Sequence, residues 1–343
     1  RRGGGIHGAP AGDAMTWHRL TSLLKATRRP IVFKDYETAG LGGAPPVEYA
    51  VAYWAPWAEP EMDAVSVAAR EGAPPGLTYA TTQRVDPGCP IHWKAQQVHG
   101  ISAEMLKGCK RYNDLEVVGF FQALACGDSA ADEGPAIWGG HNVAEADVPW
   151  AQKWGYLPAG EVCCVDTQRL FRRLQKSHPF PVAPDAFAPG CLVPCLEHGI
   201  SPYASSLLGV HVALSGKVNP GAHGAMSDVL ASAWCFAAML NMWQPLWPSS
   251  VVGEDPHAAL DAFLAAVNAP PPGLLSWDGW VEVLPDGRHV WGDKAAKVGG
   301  GNPLTCDPSY ARWVASLPSS PTGENGKAWC SDATRAALGL LAK

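Results

Sequence analysis

Apolar positions recur every three to four residues in TWHRLTSLLKATR at 16–28, which predicts a short amphipathic helix. From Pro30 the period changes. Ile31-Val32-Phe33 runs into Lys34-Asp35-Tyr36-Glu37, and VEYAVAYW at 47–54 and GLTYATTQRV at 76–85 follow. Three β-like runs before any clear helix predict an antiparallel meander. Residues 94–106 read as a helical region broken near Gly100, and 113–126 as a helix capped by Asn113. A short strand at 136–140 leads into a helix at 143–154, and a second at 161–167 leads into a helix at 168–176. Prolines break 178–203. A helix at 203–209 and a Gly/Pro/His loop at 215–223 precede a long helix at 224–243. There Met226, Val229, Leu230, Ala233, Trp234 and Ala237 share one face. This order of elements predicts an α/β fold, a mixed five-stranded sheet flanked by helices, with a small accessory domain after it.

Four regions follow from the pattern. Residues 1–28 form an N-terminal extension, Gly/Ala-rich and loosely ordered at its start. Residues 29–243 form the α/β domain, 244–273 a Pro-rich linker around HAALDAFLAAVN, and 274–343 a small Trp-rich C-terminal domain. Asp286-Gly287 between VEVL and HVW predicts a hairpin. DPSYARWVASL and a last helix at 330–342 close the chain.

Composition narrows the classes. With 47% hydrophobic residues in 343, a sizeable core is expected. A net charge of −6 argues against a protein that coats nucleic acid through a basic surface. It is compatible with an enzyme whose charge is concentrated in one cleft. The ten cysteines include no C-x-x-C pair, which fits reduced intracellular thiols. Cys191, Cys195 and His198 have zinc-like spacing on one helical face, but Pro194 interrupts and no fourth ligand is evident. No run of 18 apolar residues and no signal-peptide core is present, so no membrane span is expected. Arg1-Arg2 before a Gly-rich stretch reads equally as a trimmed organellar presequence or an arbitrary start. The expected compartment is therefore intracellular: mitochondrial or otherwise organellar in the first case, cytoplasmic or nuclear in the second.

The chemistry begins at Asp35-x-Glu37. Residues two apart on a strand point to one face, so two carboxylates aim at one place. A hard cation such as Mg²⁺ or Mn²⁺ would offset that charge. The alternative is a turn in which Asp35 caps and Glu37 is solvated. In GGHNVAEADVPW, Asn142, Glu145 and Asp147 fall where a strand meets a helix. In NPGAHGAMSDVL, His223 lies in a loop and Asp228 on the first turns of the next helix. Each alone has an ordinary explanation: Asp228 complements the helix dipole, and His223 is a loop imidazole.

In order, Asp35-x-Glu37, Asp147 and His223-x₄-Asp228 form a set that resembles the DEDDh family of RNase H-like 3′→5′ exonucleases. DYETAGL is similar to the family's first motif, PGCPIHWKAQQVHGISAEML to its "HGI" segment, VDTQRLFRRL to its "DT" strand–helix unit, and LLGV with AHGAMSDVLASA to its third motif. The likeness spans about residues 30–242. One departure stands out: the fourth residue after Asn142 is Ala146, and Asp147 is fifth, with Glu145 the other carboxylate in reach. The tail from 287 resembles, at fewer positions, the C-terminal module of exonuclease X-like proteins, through Trp291-Gly292-Asp293-Lys294 and Tyr310-x-x-Trp313. Lys294 and Lys297 among those aromatics could meet a single strand, or the tryptophans could fill a mini-core.

The resemblance implies an enzyme that hydrolyses phosphodiester bonds at the 3′ end of single-stranded nucleic acid, DNA ahead of RNA. It implies two divalent cations, Mg²⁺ or Mn²⁺, held by Asp35, Glu37, Asp147 and Asp228, with His223 as general base. Thr38, Ala39, Gly40 and Leu41 would hold the terminal nucleotide, Leu41 as a wedge, and Asn142 would lie beside it. His99 would line the strand path or serve as a structural histidine. The rival reading is a catalytically inactive exonuclease-like subunit with a structural or RNA-binding role in a larger assembly. That reading expects protein partners in the larger complex.

Overall fold

In the computed structural model of this chain, the described residues are 14–57, 77–126, 135–177, 205–215, 217–219, 221–242, 255–270, 281–283 and 289–291. Helix α1 (Ala14–Thr27) precedes strands β1 (Ile31–Thr38), β2 (Pro46–Trp54) and β3 (Leu77–Arg84). Helix α2 (Trp93–His99), a 3₁₀ turn (Ala103–Leu106) and helix α3 (Leu115–Cys126) follow. Then come β4 (Ile137–Gly140), α4 (Asp147–Lys153), β5 (Cys164–Asp166), α5 (Thr167–Ser177), α6 (Leu207–Ser215), α7 (Ala225–Met242) and α8 (Pro256–Asn268). The short strands β6 (Val281–Val283) and β7 (His289–Trp291) come last.

The sheet order is β3-β2-β1-β4-β5. β1 pairs antiparallel with β2 and parallel with β4, β2 antiparallel with β3, and β4 parallel with β5. This is the expected mixed five-stranded sheet. A βαβ crossover is what parallel neighbours require, and α3 and α4 supply one each.

β1 is central, so both its faces are covered. Ile31 and Phe33 face α7, where the Phe33 and Phe236 rings lie 5.8 Å apart. Val32 and Tyr36 face the opposite core, built with Phe121, Trp138, Trp154 and Tyr156. Phe121 stacks on Tyr156 at 4.4 Å, and Trp154 meets Tyr36 edge-on at 5.1 Å. Gly139 is required where β4 passes β1: a methyl there would lie 2.7 Å from the Phe33 ring.

Some boundaries differ from the sequence reading. The helix expected from 143 starts at Asp147, because Pro149 is tolerated in a first turn but would lose a bond and clash in an interior. Residues 143–146 form a wider turn instead, with Val148 N bonded to Val143 O at 2.9 Å. Asp114, not Asn113, caps α3: its Oδ1 accepts from Glu116 N at 2.9 Å. The helix expected at 203–209 runs Leu207–Ser215, and Ser206 Oγ accepts from Gly209 N at 3.2 Å. The strand expected at 161–167 is confined to Cys164–Asp166.

The chain divides into two compact units, 1–171 with 181–268 and 172–180 with 269–343. In the first, α8 buries Leu260, Phe263, Leu264 and Val267 and packs on α1 and β5. In the second, β6 and β7 pair antiparallel, Val281 opposite Trp291. Cys191, Cys195, His198, the tail beyond Trp291 and most of the stretches read as Pro-rich lie outside the described residues. No described helix is long and apolar enough to cross a membrane.

Candidate active site

The site forms at the carboxyl ends of the parallel strands, where open α/β sheets commonly bind ligands. β1 carries Asp35 and Glu37 on the face covered by α7, and α7 carries Asp228 in its first turn. One carboxylate oxygen from each of these three lies within 4.8 Å of the others. The three negative groups are half-buried, and each pays for the company of the rest. Burial, then Asp147, Glu37 and Asp228, hold the Asp35 carboxyl well above its ordinary range. Burial, then Asp228, Glu48 and Asp147, raise Glu37 to about 8. Burial raises Asp228 to about 6, opposed by the His223 main-chain N–H and imidazole. Such a cluster takes up protons unless a cation replaces them.

Glu48 adds to the crowding. It stands directly across from Glu37 on β2, a like-charge pair that destabilises a sheet. Arg84, its neighbour on β3, relieves it with Nε 3.3 Å from Oε1. A lone charge inside the apolar VEYAVAYW was the available signal for Glu48, but only the register reveals its neighbour.

Asp147 is buried at the start of α4 and is not one of the three clustered carboxylates. Its Oδ1 lies 4.0 Å from Lys34 Nζ. Lys34 alternates with Asp35 and so projects to the opposite face. It is buried, its Nζ has no hydrogen bond, and it lies 4.4 Å from the Tyr36 ring centroid and 5.1 Å from that of Trp138. Burial lowers Lys34 to about 8 against the pull of Asp147 and Asp35, and raises Asp147 to about 6 against the pull of Lys34. At each of the two groups burial outweighs the partner's charge. A lysine within an apolar strand run was the sequence signal for this contact.

The turn before α4 is held from below by Asp166. Its Oδ1 accepts from Asn142 N (3.1 Å), Gln168 N (2.9 Å) and Arg169 N (3.2 Å), and its Oδ2 from Ala144 N (3.1 Å). Asn142, in the turn before α4, adopts φ 60°, and His223, in the loop before α7, φ 69°, both left-handed. Strained residues of this kind persist where the surroundings fix them. His141 bridges Thr167 Oγ1 (2.9 Å) and Ser205 O (2.8 Å). Glu145, the second candidate for the motif, is exposed with Oε1 3.5 Å from Arg169 Nη2 and is not among the three clustered carboxylates.

The loop before α7 is tied by Asn219, whose Oδ1 accepts from Ser227 Oγ (2.9 Å) and Gly221 N (3.3 Å). His223 donates its main-chain N–H to Asp228 Oδ2 at 3.2 Å and is otherwise exposed. On the other side, Thr38 Oγ1 donates to Gly40 O at 2.6 Å and Ala39 N to Pro45 O at 2.9 Å, closing a turn that leaves Leu41 96% exposed. His99 Nδ1 accepts from Ile101 N at 3.0 Å, which places its proton on Nε2. Burial lowers the His99 pKa while the Thr38 main chain raises it, so this ring backs the turn.

No family model and no curated protein matches the chain. Among solved structures it is similar to exonuclease X in complex with 5′ overhanging duplex DNA, at 15% identity and TM-score 0.36, over 68% of this chain and 99% of that one. It is also similar to E. coli exonuclease I in complex with a dT13 oligonucleotide, at 15% identity and TM-score 0.48, over 88% of this chain and 62% of that one. The zinc ion bound form of the E. coli ExoI–ssDNA complex aligns at 14% identity and TM-score 0.46, over 91% of this chain and 67% of that one.

Proposed function

We propose that the chain is a metal-dependent 3′→5′ exonuclease acting on single-stranded nucleic acid, DNA ahead of RNA. The observation that supports it is the meeting of Asp35, Glu37 and Asp228 within 4.8 Å on two elements far apart in sequence. The donor set fits a hard divalent cation: all oxygens, crowded, and raised in pKa by burial and one another. Asp35, Glu37 and Asp228 would hold one Mg²⁺ or Mn²⁺, and Asp147 would complete the place for a second. Such ions supply charge stabilisation for the attacking and leaving oxygens of phosphodiester hydrolysis.

The remaining work belongs to the chain. His223, exposed on its tied loop next to Asp228, takes the proton of the attacking water at an imidazole nitrogen. The turn of Thr38, Ala39 and Gly40 offers main-chain groups to the terminal sugar, and Leu41 packs against its base. Asn142, fixed in its left-handed conformation by Asp166, stands at the mouth of β4. The test is polarity. With Mg²⁺, a strand labelled at its 3′ terminus should lose label as mononucleotide before the body of the strand shortens, and a 3′-phosphate should block it. Early loss of a 5′ label or internal cuts would overturn the reading.

One observation favours the rival, an inactive exonuclease-like subunit with a structural or RNA-binding role: Asp147, which is not among the three clustered carboxylates, lies 4.0 Å from the Lys34 ammonium. That reading expects strand binding without hydrolysis by either metal.

A further inference from the structure

Helix α2 buries none of its residues. At its start Trp93 is 59% exposed, a large apolar surface left in water without a packing reason. Its indole stacks on His92, with ring centroids 5.9 Å apart and planes at 26°, and Lys94 Nζ lies 5.4 Å from the indole centroid. Val98 on the same helix is 55% exposed, and Met105 beyond it 43%.

The position of this ledge is fixed by the site. His92 N donates to Ala39 O at 2.7 Å, and His92 Cβ is close enough that a methyl on Gly40 would lie 3.5 Å from it. The ledge therefore starts one hydrogen bond from the turn that carries the exposed Leu41. Its charge differs from that of the chain. Residues 87–113 hold Lys94, Lys107, Lys110 and Arg111 against Glu104 alone, in a chain of net charge −6. Lys110 pairs with Glu116 and Arg111 with Asp86, and the charge of Lys107 acts on Glu104, whereas Lys94 has no ion pair among the described residues.

We propose that Trp93, with Lys94, is a binding platform for the nucleotides that precede the 3′-terminal one in a single strand. This rests on the exonuclease reading of the adjacent site. An exposed indole offers a face to any base, and bases present theirs only when unpaired. Lys94 suits the phosphates between those bases, and its charge beside the indole adds to the stack. A protein partner would instead ask for a wider apolar surface than one aromatic ring and two aliphatic side chains.

The test is binding by the full chain carrying Asp35→Asn, so that no strand is consumed. Fluorescence anisotropy follows a labelled oligothymidylate or oligouridylate of about twelve nucleotides in Mg²⁺. Adding Trp93→Ala should raise Kd about 5- to 150-fold, the range expected for one lost base stack, and Trp93→Phe should restore most of it. Lys94→Gln should reduce the salt slope of log Kd by about one. Binding of thymidine 5′-monophosphate should not respond to Trp93→Ala. Equal strand affinity with and without the indole, in protein of unchanged melting temperature, would overturn the platform and leave the exonuclease reading standing. Equal affinity for duplex would overturn the single-strand assignment. Failure of the Trp93-containing chain to bind any strand would overturn the exonuclease reading and the platform with it.

Discussion

Replacing Asp166 by Ala removes one carboxylate and leaves four main-chain donors without their acceptor: Asn142, Ala144, Gln168 and Arg169. Two of these are first-turn donors of α5, and losing such a cap costs about 1 kcal/mol. The other two belong to the turn that delivers Asp147, and each donor left unsatisfied in a buried place costs about 1–3 kcal/mol. Water reaches the half-buried turn, so the whole falls below the simple sum, at about 3–5 kcal/mol. For a unit of this size that lowers the melting temperature by roughly 10 °C. Asp166→Ser tells the two parts apart. Its short hydroxyl can cap α5 but cannot reach the turn, so it should recover about 1 kcal/mol and no more. Urea unfolding at neutral pH measures all three proteins. A loss under about 1 kcal/mol for Asp166→Ala would show that the carboxylate does not hold the turn. So would full recovery by Ser.

Three further outcomes follow. Without divalent cations, the folded chain keeps protons on Asp35, Glu37 and Asp228 that the unfolded chain has already lost. Stability should therefore fall as pH rises from about 4 towards 8, and Mn²⁺ should raise the melting temperature more at pH 8 than at pH 6; a metal shift independent of pH contradicts this. Lys34→Met and Asp147→Asn should be non-additive, the pair being more stable than the sum of single effects by about 2 kcal/mol in a double-mutant cycle, with zero coupling as the refuting result. His223→Gln should slow strand hydrolysis by about 10²–10⁴-fold while Mn²⁺ affinity, read by calorimetry, stays within a few-fold; a parallel loss of metal affinity would make His223 a ligand instead.

The sheet was legible because its strands carry local signals. The three opening β runs and two strand–helix repeats suffice for a meander joined to a crossover, and alternation along β1 places Asp35 and Glu37 together. Asp228 could be placed on its helix because apolar residues from Met226 to Ala237 keep a helical period. What escaped depends on neighbours remote in sequence. Register, which sequence does not print, sets Glu48 beside Glu37. Lys34 finds Asp147 more than a hundred residues away, and the one-residue shift after Asn142 did not disclose that the carboxylate would meet an ammonium. Helix starts failed where a single residue decides them: Pro149, Ser206 and Asp114 each set a first turn that periodicity alone leaves open. The hydrogen bonds of Asp166 were invisible for the same reason, since Asn142 and Ala144 lie more than twenty residues before it.

The most direct measurement is the fate of a 5′-labelled single strand, as DNA and as RNA, incubated with the chain in Mg²⁺ or Mn²⁺ beside Asp35→Ala. An active exonuclease gives a ladder that shortens from the 3′ end, needs the metal, and vanishes in the variant. An intact strand with folded chain and either metal would contradict it, as would a ladder that survives Asp35→Ala.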